Sequence, residues 1–244
     1  MISGEAVTAE QRNWGRLAGL MVFANYLFQG VGDWFTILAR SGAPFADTAR
    51  YAARSPVLWR SCLLEVGISW IAIGVLAFAL FVVLAPVDRR LAQLALALRL
   101  GASFVGASSL MFRVAQFRIY RSFASETLFT PEQLRMLSSL VQSGANAGVW
   151  IAWILQASGT LFFFRLFLRS RLLPRAVAGL GMIGSVMLAL ASAVMFVFSE
   201  GSNWMKVFGL PVFFAELVAA VILLRGLQPH TPAQVVARAV PASS

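Results

Sequence analysis

Three formal charges stand inside long apolar runs of this sequence: Glu65, Arg99 and Glu216. A charge near the centre of a membrane helix costs at least about 2.5–3.5 kcal/mol, so such groups face a bundle interior and pair. Arg99 has two candidate counter-ions. One buried guanidinium with two carboxyls can hold one as a carboxylate while desolvation keeps the other protonated. That chemistry suits a proton, an ion or a small polar ligand; the competing role is a structural ion pair that fixes helix packing. Asn25, Gln29 and Asp33 recur every four residues and share one helical face, bordered by Tyr26 and Trp34. Turned toward lipid, that stripe would leave amides unsatisfied, so it must face other helices or a wet cavity. Gln142, Asn146 and Gln156 on a later run are placed to close the same interior. The expected site is therefore an intramembrane polar cluster of Glu65, Arg99, Glu216, Asn25, Gln29, Asp33 and Asn146, with no catalytic residue assigned.

Other chemistries lack their residues. The chain has one histidine, His230, near its C-terminus, and one cysteine, Cys62, inside an apolar run. Haem and most transition-metal sites need several imidazole or thiolate ligands, so neither a metal site nor any other cofactor is expected. The single lysine, Lys206, lies at the mouth of an apolar run rather than at mid-depth, where a Schiff base would need it. No phosphate-binding glycine loop and no G-x-S-x-G elbow occurs. One cysteine forms no intramolecular disulfide.

The elements that must hold these groups follow from composition. Of 244 residues, 59% are hydrophobic and 12% charged, against about 25% charged in a soluble domain. The chain reads as an all-α, polytopic transmembrane helix bundle in a lipid bilayer. Six runs reach spanning length: Leu17–Ala39, Val57–Leu84, Leu91–Phe112, Leu137–Leu168, Ala176–Ser199 and Val207–Leu227. Ser55-Pro56 and Thr130-Pro131 put a hydroxyl before a proline at the first helical position, and Gln133 completes a capping box, so the second and fourth helices start at Pro56 and Pro131. Gly181, Ser185, Ala189 and Ala193, and Gly144, Gly148 and Ala152, form small-residue ladders for close packing. Pro211, five residues before Glu216, is expected to kink the last helix. Residues 1–228 form one domain and 229–244 a short disordered cytoplasmic tail. The N-terminal stretch lacks the pattern of a cleaved secretory signal.

A net charge of +10 would suggest nucleic acid in a soluble protein, but here the basic residues sit mainly at span ends, and no nucleic-acid partner is expected. Arg89, Arg90, Arg165, Arg169, Arg171, Arg175 and Arg225 fall on one side of a six-span arrangement. The positive-inside rule then places both termini in the cytoplasm, against the pull of Arg50, Arg54, Arg118, Arg121 and Arg135 opposite.

Several short motifs, taken together, resemble a known family: Arg16-Leu17-Ala18-Gly19-Leu20, Ala85-Pro86-Val87-Asp88-Arg89, the early Arg99, Leu172-Leu173-Pro174-Arg175, Ala215-Glu216-Leu217 and Arg225-Gly226. The chain is similar over about residues 12–228 to the Domain of Unknown Function 4386 family, bacterial integral membrane proteins with six or so spans. The resemblance implies an inner (plasma) membrane, multi-pass protein and no established activity. The family pattern carries an acid shortly after the arginine of the third span, where Ala102 and Ser103 stand here, and a histidine early in the fourth, where this chain has Gly144–Gly148. If that histidine relays protons, this chain lacks the relay.

The reading that follows is a small-molecule or ion binding, transport or sensing protein with a polar intramembrane cavity. The alternative is a non-catalytic accessory or regulatory subunit that binds a membrane protein partner or a second copy of itself. It rests on Phe112, Phe117, Tyr120, Phe123 and Phe129, which interleave with arginines as in an interfacial helix. An intramembrane acid/base enzyme using Glu65 and Glu216 is the third.

Overall fold

A computed structural model of the chain describes residues 8–38, 44–125, 129–198 and 207–226, the side chains of 31–38 excepted. The described residues form seven helices and no strand: α1 (Ala9–Leu38), α2 (Phe45–Arg54), α3 (Pro56–Leu84), α4 (Arg89–Phe123), α5 (Pro131–Ser170), α6 (Arg175–Phe198) and α7 (Leu210–Arg225). The tail expected at 229–244 lies outside the described residues.

Local chemistry sets the helix starts. The capping box at α5 is present in full: Gln133 N–H donates to Thr130 Oγ1 (3.3 Å) and Thr130 N–H to Gln133 Oε1 (2.9 Å). A second box that the sequence reading missed starts α1, where Thr8 and Gln11 exchange the same bonds at 3.0 and 3.1 Å. Asp88 caps α4 by accepting from Leu91 N–H (3.1 Å), and its other oxygen holds Arg169 Nη1 at 3.0 Å, tying the start of α4 to the end of α5. Pro56 occupies the first turn of α3 as expected, although Ser55 makes no side-chain cap.

The six long helices close into a ring in chain order: α1 packs on α3, α3 on α4, α4 on α5, α5 on α6, α6 on α7, and α7 back on α1. Neighbours run antiparallel, so the start of α1 meets the end of α7, where Arg12 and Arg16 approach Gly226. The arginine-rich segments 12–16, 89–90, 165–175 and 225 thus gather at one end. Five helices, α3 to α7, are long and apolar enough to cross a membrane. α1 falls short in apolar content because Asn25, Gln29 and Asp33 interrupt it, yet its 30 residues, about 45 Å, run beside α3 and α7 and complete the ring.

The outside of the ring is greasy. Leu27, Leu64, Ile71, Phe104, Leu140, Leu190 and Phe214 are all more than half exposed, the inverse of a soluble bundle, whose outer faces are polar. The chain is a multi-pass membrane protein. Its interior is filled by Val22, Leu76, Leu80, Val83, Phe163, Phe164, Phe167, Val212 and Leu223, contributed by four of the ring helices, with Ala92 and Ala95 from α4 and Ala178 from α6.

One sequence expectation needs correction, and one helix was not foreseen. Pro211 lies in the first turn of α7, preceded by a tight turn at 207–209, so it starts the helix instead of kinking it; its missing N–H falls where no intrahelical partner exists. The connection 41–56 contains α2, whose buried Ala49 and Ala52 pack on Trp59, Leu63, Phe117 and Tyr120, with Phe45 and Phe123 at the margin. Much of the aromatic stretch of α4 is therefore covered by α2 and α3, while Phe112 stays about half exposed.

Close approach at the small residues has one clear test. A Cβ on Gly184 would lie 2.4 Å from the Val212 nitrogen, so α6 and α7 touch there backbone to backbone, whereas a Cβ on Gly179, five residues away on the same helix, meets nothing. Gly184→Ala is expected to destabilise by about 1–3 kcal/mol or more, as overpacking of a tight contact does. Gly179→Ala should leave the midpoint of thermal unfolding in detergent unchanged or slightly higher.

Candidate functional site

Arg99 projects from α4 into the ring and is 1% exposed, the largest side chain so deeply buried among the described residues. It stands ten residues into α4, about 15 Å from the arginine-rich end; Glu216 on α7 lies nine residues from Arg225, at the same depth. The level match places Arg99 Nη2 3.4 Å from Glu216 Oε1. Tyr26 on α1 donates its hydroxyl to Glu216 Oε2 at 2.5 Å, the length of a charge-assisted O–H···O⁻ bond. Its ring stands edge-on to Phe213, 4.6 Å between centroids, which fixes its direction. One carboxylate thus joins α1, α4 and α7.

The stem of Arg99 needs a gap in α5, and Gly159 supplies it. A Cβ there would fall 2.7 Å from Arg99 Cγ and 2.9 Å from the Ala95 carbonyl oxygen. Any side chain at 159 would push α4 from α5 or turn the guanidinium away from Glu216. A cavity of about 20 Å³ borders Arg99, Glu216, Thr160, Phe163 and Phe164. That is room for about one water molecule, against roughly 300 Å³ or more for a drug-sized ligand. Arg99 Nε is buried and has no hydrogen-bond partner among the described residues, so a water in this cavity would have a donor to meet.

The other expected members divide. Asn25, beside Tyr26, is buried and accepts from Ser69 Oγ at 2.7 Å, linking α1 to α3 next to the charged cluster. Glu65, one turn before Ser69, is half-buried; it does not pair with Arg99, and its buried Oε2 has no partner among the described residues. Gln29 is half-buried on the same α1 face, and the side chain of Asp33 lies outside the described residues. Asn146 is exposed on α5 and lies apart from the cluster. Gln142 does not close this interior: it accepts from Gln116 Nε2 (3.0 Å), which also donates to Ser138 Oγ (3.2 Å), some 25 Å from Arg99 along α4. Helical periodicity places residues on a face but not that face against a particular neighbour, which is why Asn146 was misplaced. Tyr26, treated in the sequence only as a border residue, and Gly159, not singled out at all, belong to the site; the signal for Tyr26 was a phenol one residue from Asn25.

Chemically, the cluster is a carboxylate held by a permanent cation and a phenol, with Phe163, Phe164 and Phe167 lining the space beside it. Among the described residues no three His, Cys, Asp or Glu side chains come together as a metal site would require. Removing one partner of a buried pair costs about 3–5 kcal/mol, while replacing both by apolar groups is often neutral. A stranded carboxyl can take up a proton and become neutral; a stranded guanidinium cannot release one. Glu216→Leu should therefore destabilise by about 3–5 kcal/mol and Arg99→Met by less, with the double variant more stable than Glu216→Leu alone. Thermal unfolding of the four proteins in one detergent measures the cycle.

No curated protein and no solved structure matches the chain. A family model does, over residues 17–226, a stretch that holds every long helix from the third turn of α1 to the last residue of α7 and all three residues of the charged cluster. By that match the chain belongs to the family described as Domain of unknown function (DUF4386).

Proposed function

We propose that this chain is a membrane transport or sensing protein whose working ligand is a proton or a single small ion, handled at Glu216 between Arg99 and Tyr26. The observation that carries the reading is the conjunction of a buried ionic cluster shared by three helices with a space for about one water beside it. In the closed ring this space admits no larger ligand, so a small molecule would have to enter through an opened arrangement of α7. A proton reaching Glu216 cancels its attraction for Arg99 and leaves an unpaired guanidinium in an apolar core. Such a state is relieved by admitting water or by moving α7 away from α1 and α4. Proton occupancy thereby becomes helix position, the common requirement of a carrier and a sensor. The inner (plasma) membrane of a bacterium, with both termini cytoplasmic, is the setting we infer from the arginine-rich end.

The test is pH-difference infrared spectroscopy on protein reconstituted in liposomes, with a pH-sensitive dye trapped inside. The wild type should show a titrating buried carboxyl band that disappears in Glu216→Gln and survives in Glu65→Gln, and the changes should track dye-reported flux or a helix movement. An identical titration in Glu216→Gln, or no titrating buried carboxyl at all, would sink the proposal.

A further inference from the structure

At the end of the ring opposite the arginine-rich one, α3 and α4 diverge into an open groove of about 610 Å³. Its walls come from one stripe on each helix. α3 supplies Arg60, Leu63, Leu64 and Gly67, and α4 supplies Leu110, Val114, Phe117, Arg118 and Arg121, both at the i, i+3, i+4, i+7 spacing of a single face. The composition is graded along the axis. Arg60 is one turn from the start of α3, and Arg118 and Arg121 fall in the last two turns of α4, so the three guanidiniums cluster at the helix ends. Gly67, Leu110 and Val114 line the deeper part, where Leu64 and Val114 are well exposed. A Cβ on Gly67 would stand 3.4 Å from Leu110 Cδ1, so any larger side chain there would enter the deep part of the groove.

The cations at the mouth have no acid opposite them among the described residues. Asp47 and Glu132, the described carboxylates at this end apart from the inward-lying Glu65, are each held by an arginine three residues along, Arg50 at 3.1 Å and Arg135 at 2.7 Å. Glu65 lies on the far side of α3 from the Arg60 stripe. Arg60 is held over the Phe117 ring, 5.7 Å from its centroid, and Phe117 is itself stacked on Trp59. The guanidinium is thus positioned by packing before any ligand arrives, which lowers the entropy lost on binding.

Three unneutralised guanidiniums above an apolar, lipid-facing channel match a phosphate attached to a hydrocarbon chain. We infer that the groove between α3 and α4 binds an anionic phospholipid of the surrounding bilayer, its phosphate among Arg60, Arg118 and Arg121 and an acyl chain along Leu64, Gly67, Leu110 and Val114. Guanidiniums recognise phosphate oxygens through paired N–H donors, and the apolar channel excludes a free anion from the rest of the site. The inference is independent of the Arg99–Glu216 cluster, with which the groove shares no residue.

Native mass spectrometry of the full chain released from micelles, with phosphatidylglycerol or phosphatidylcholine added in equal amounts, tests this. Wild type should retain phosphatidylglycerol preferentially, and each of Arg60→Gln, Arg118→Gln and Arg121→Gln should weaken that adduct by roughly fivefold, the equivalent of about 1 kcal/mol per basic residue. Gly67→Leu, which fills the channel and leaves the arginines in place, should also weaken it. Arg135→Gln, at the same end but outside the groove, should not, and inorganic phosphate should not displace the lipid. Thermal unfolding confirms that each variant is folded before its adducts are compared. Equal retention of the two lipids, an Arg135→Gln loss as large as the groove variants, or displacement by inorganic phosphate would each overturn the assignment.

Discussion

The bundle is organised around one permanent charge that cannot leave it. Arg99 cannot lose its proton, and at 1% exposure it is cut off from bulk water, so its neighbourhood has to supply what bulk water would. Glu216 provides the countercharge, Tyr26 completes that carboxylate's hydrogen bonding, and Gly159 clears the path of the aliphatic stem. Each of these lies on a different helix. Satisfying one guanidinium thereby sets the relative heights and rotations of α1, α4, α5 and α7. Apolar packing in a membrane could not do this alone, since lipid tails compete with side chains on equal terms.

Away from that level, shape takes over from charge. Trp70 lies over Gly106, Phe164 over Gly181, and Gly184 brings α6 onto the backbone of α7, so ring neighbours are held by large groups seated on missing ones. The two ends of the ring differ in kind. At the arginine-rich end the helices are joined by short turns and by the Asp88–Arg169 pair. At the other end α4 and α5 run on well past the charged level, and the extension is clothed by α2 and bridged by Gln116, Ser138 and Gln142. The α3–α4 groove opens at this extended end, where helices that project beyond the main ring have fewer neighbours to close the gap between them.

Much of this was readable in the residues. Helix starts at Pro56 and Pro131 follow from backbone rules that act within four residues, and the structure keeps both. Burial of Arg99, Glu216 and Asn25 follows from the penalty for polar groups in hydrocarbon, which holds whatever the fold. Glu65 and Asn146 mark where that logic stops. The penalty says that a polar residue must turn inward or find a polar boundary; it does not say which helix will face it. α2 was missed because ten residues with a narrow apolar stripe of alanines carry little signal until Trp59 and Tyr120 are there to receive them.

By itself, then, the sequence determined an all-helical membrane protein, the apolar runs, the helix starts at Pro56 and Pro131, the arginine-rich end and the short list of charges that must be reconciled in the interior. These depend on periodicity, length and solvation energies, quantities carried by each segment alone. Only the tertiary structure decided that Arg99 takes Glu216 and not Glu65, that Tyr26 joins them, that the cavity beside them has room for about one water, and that α3 and α4 part to leave an arginine-mouthed groove. Those outcomes depend on which faces meet and at what height. That is settled by the joint packing of six helices, and no single segment contains it.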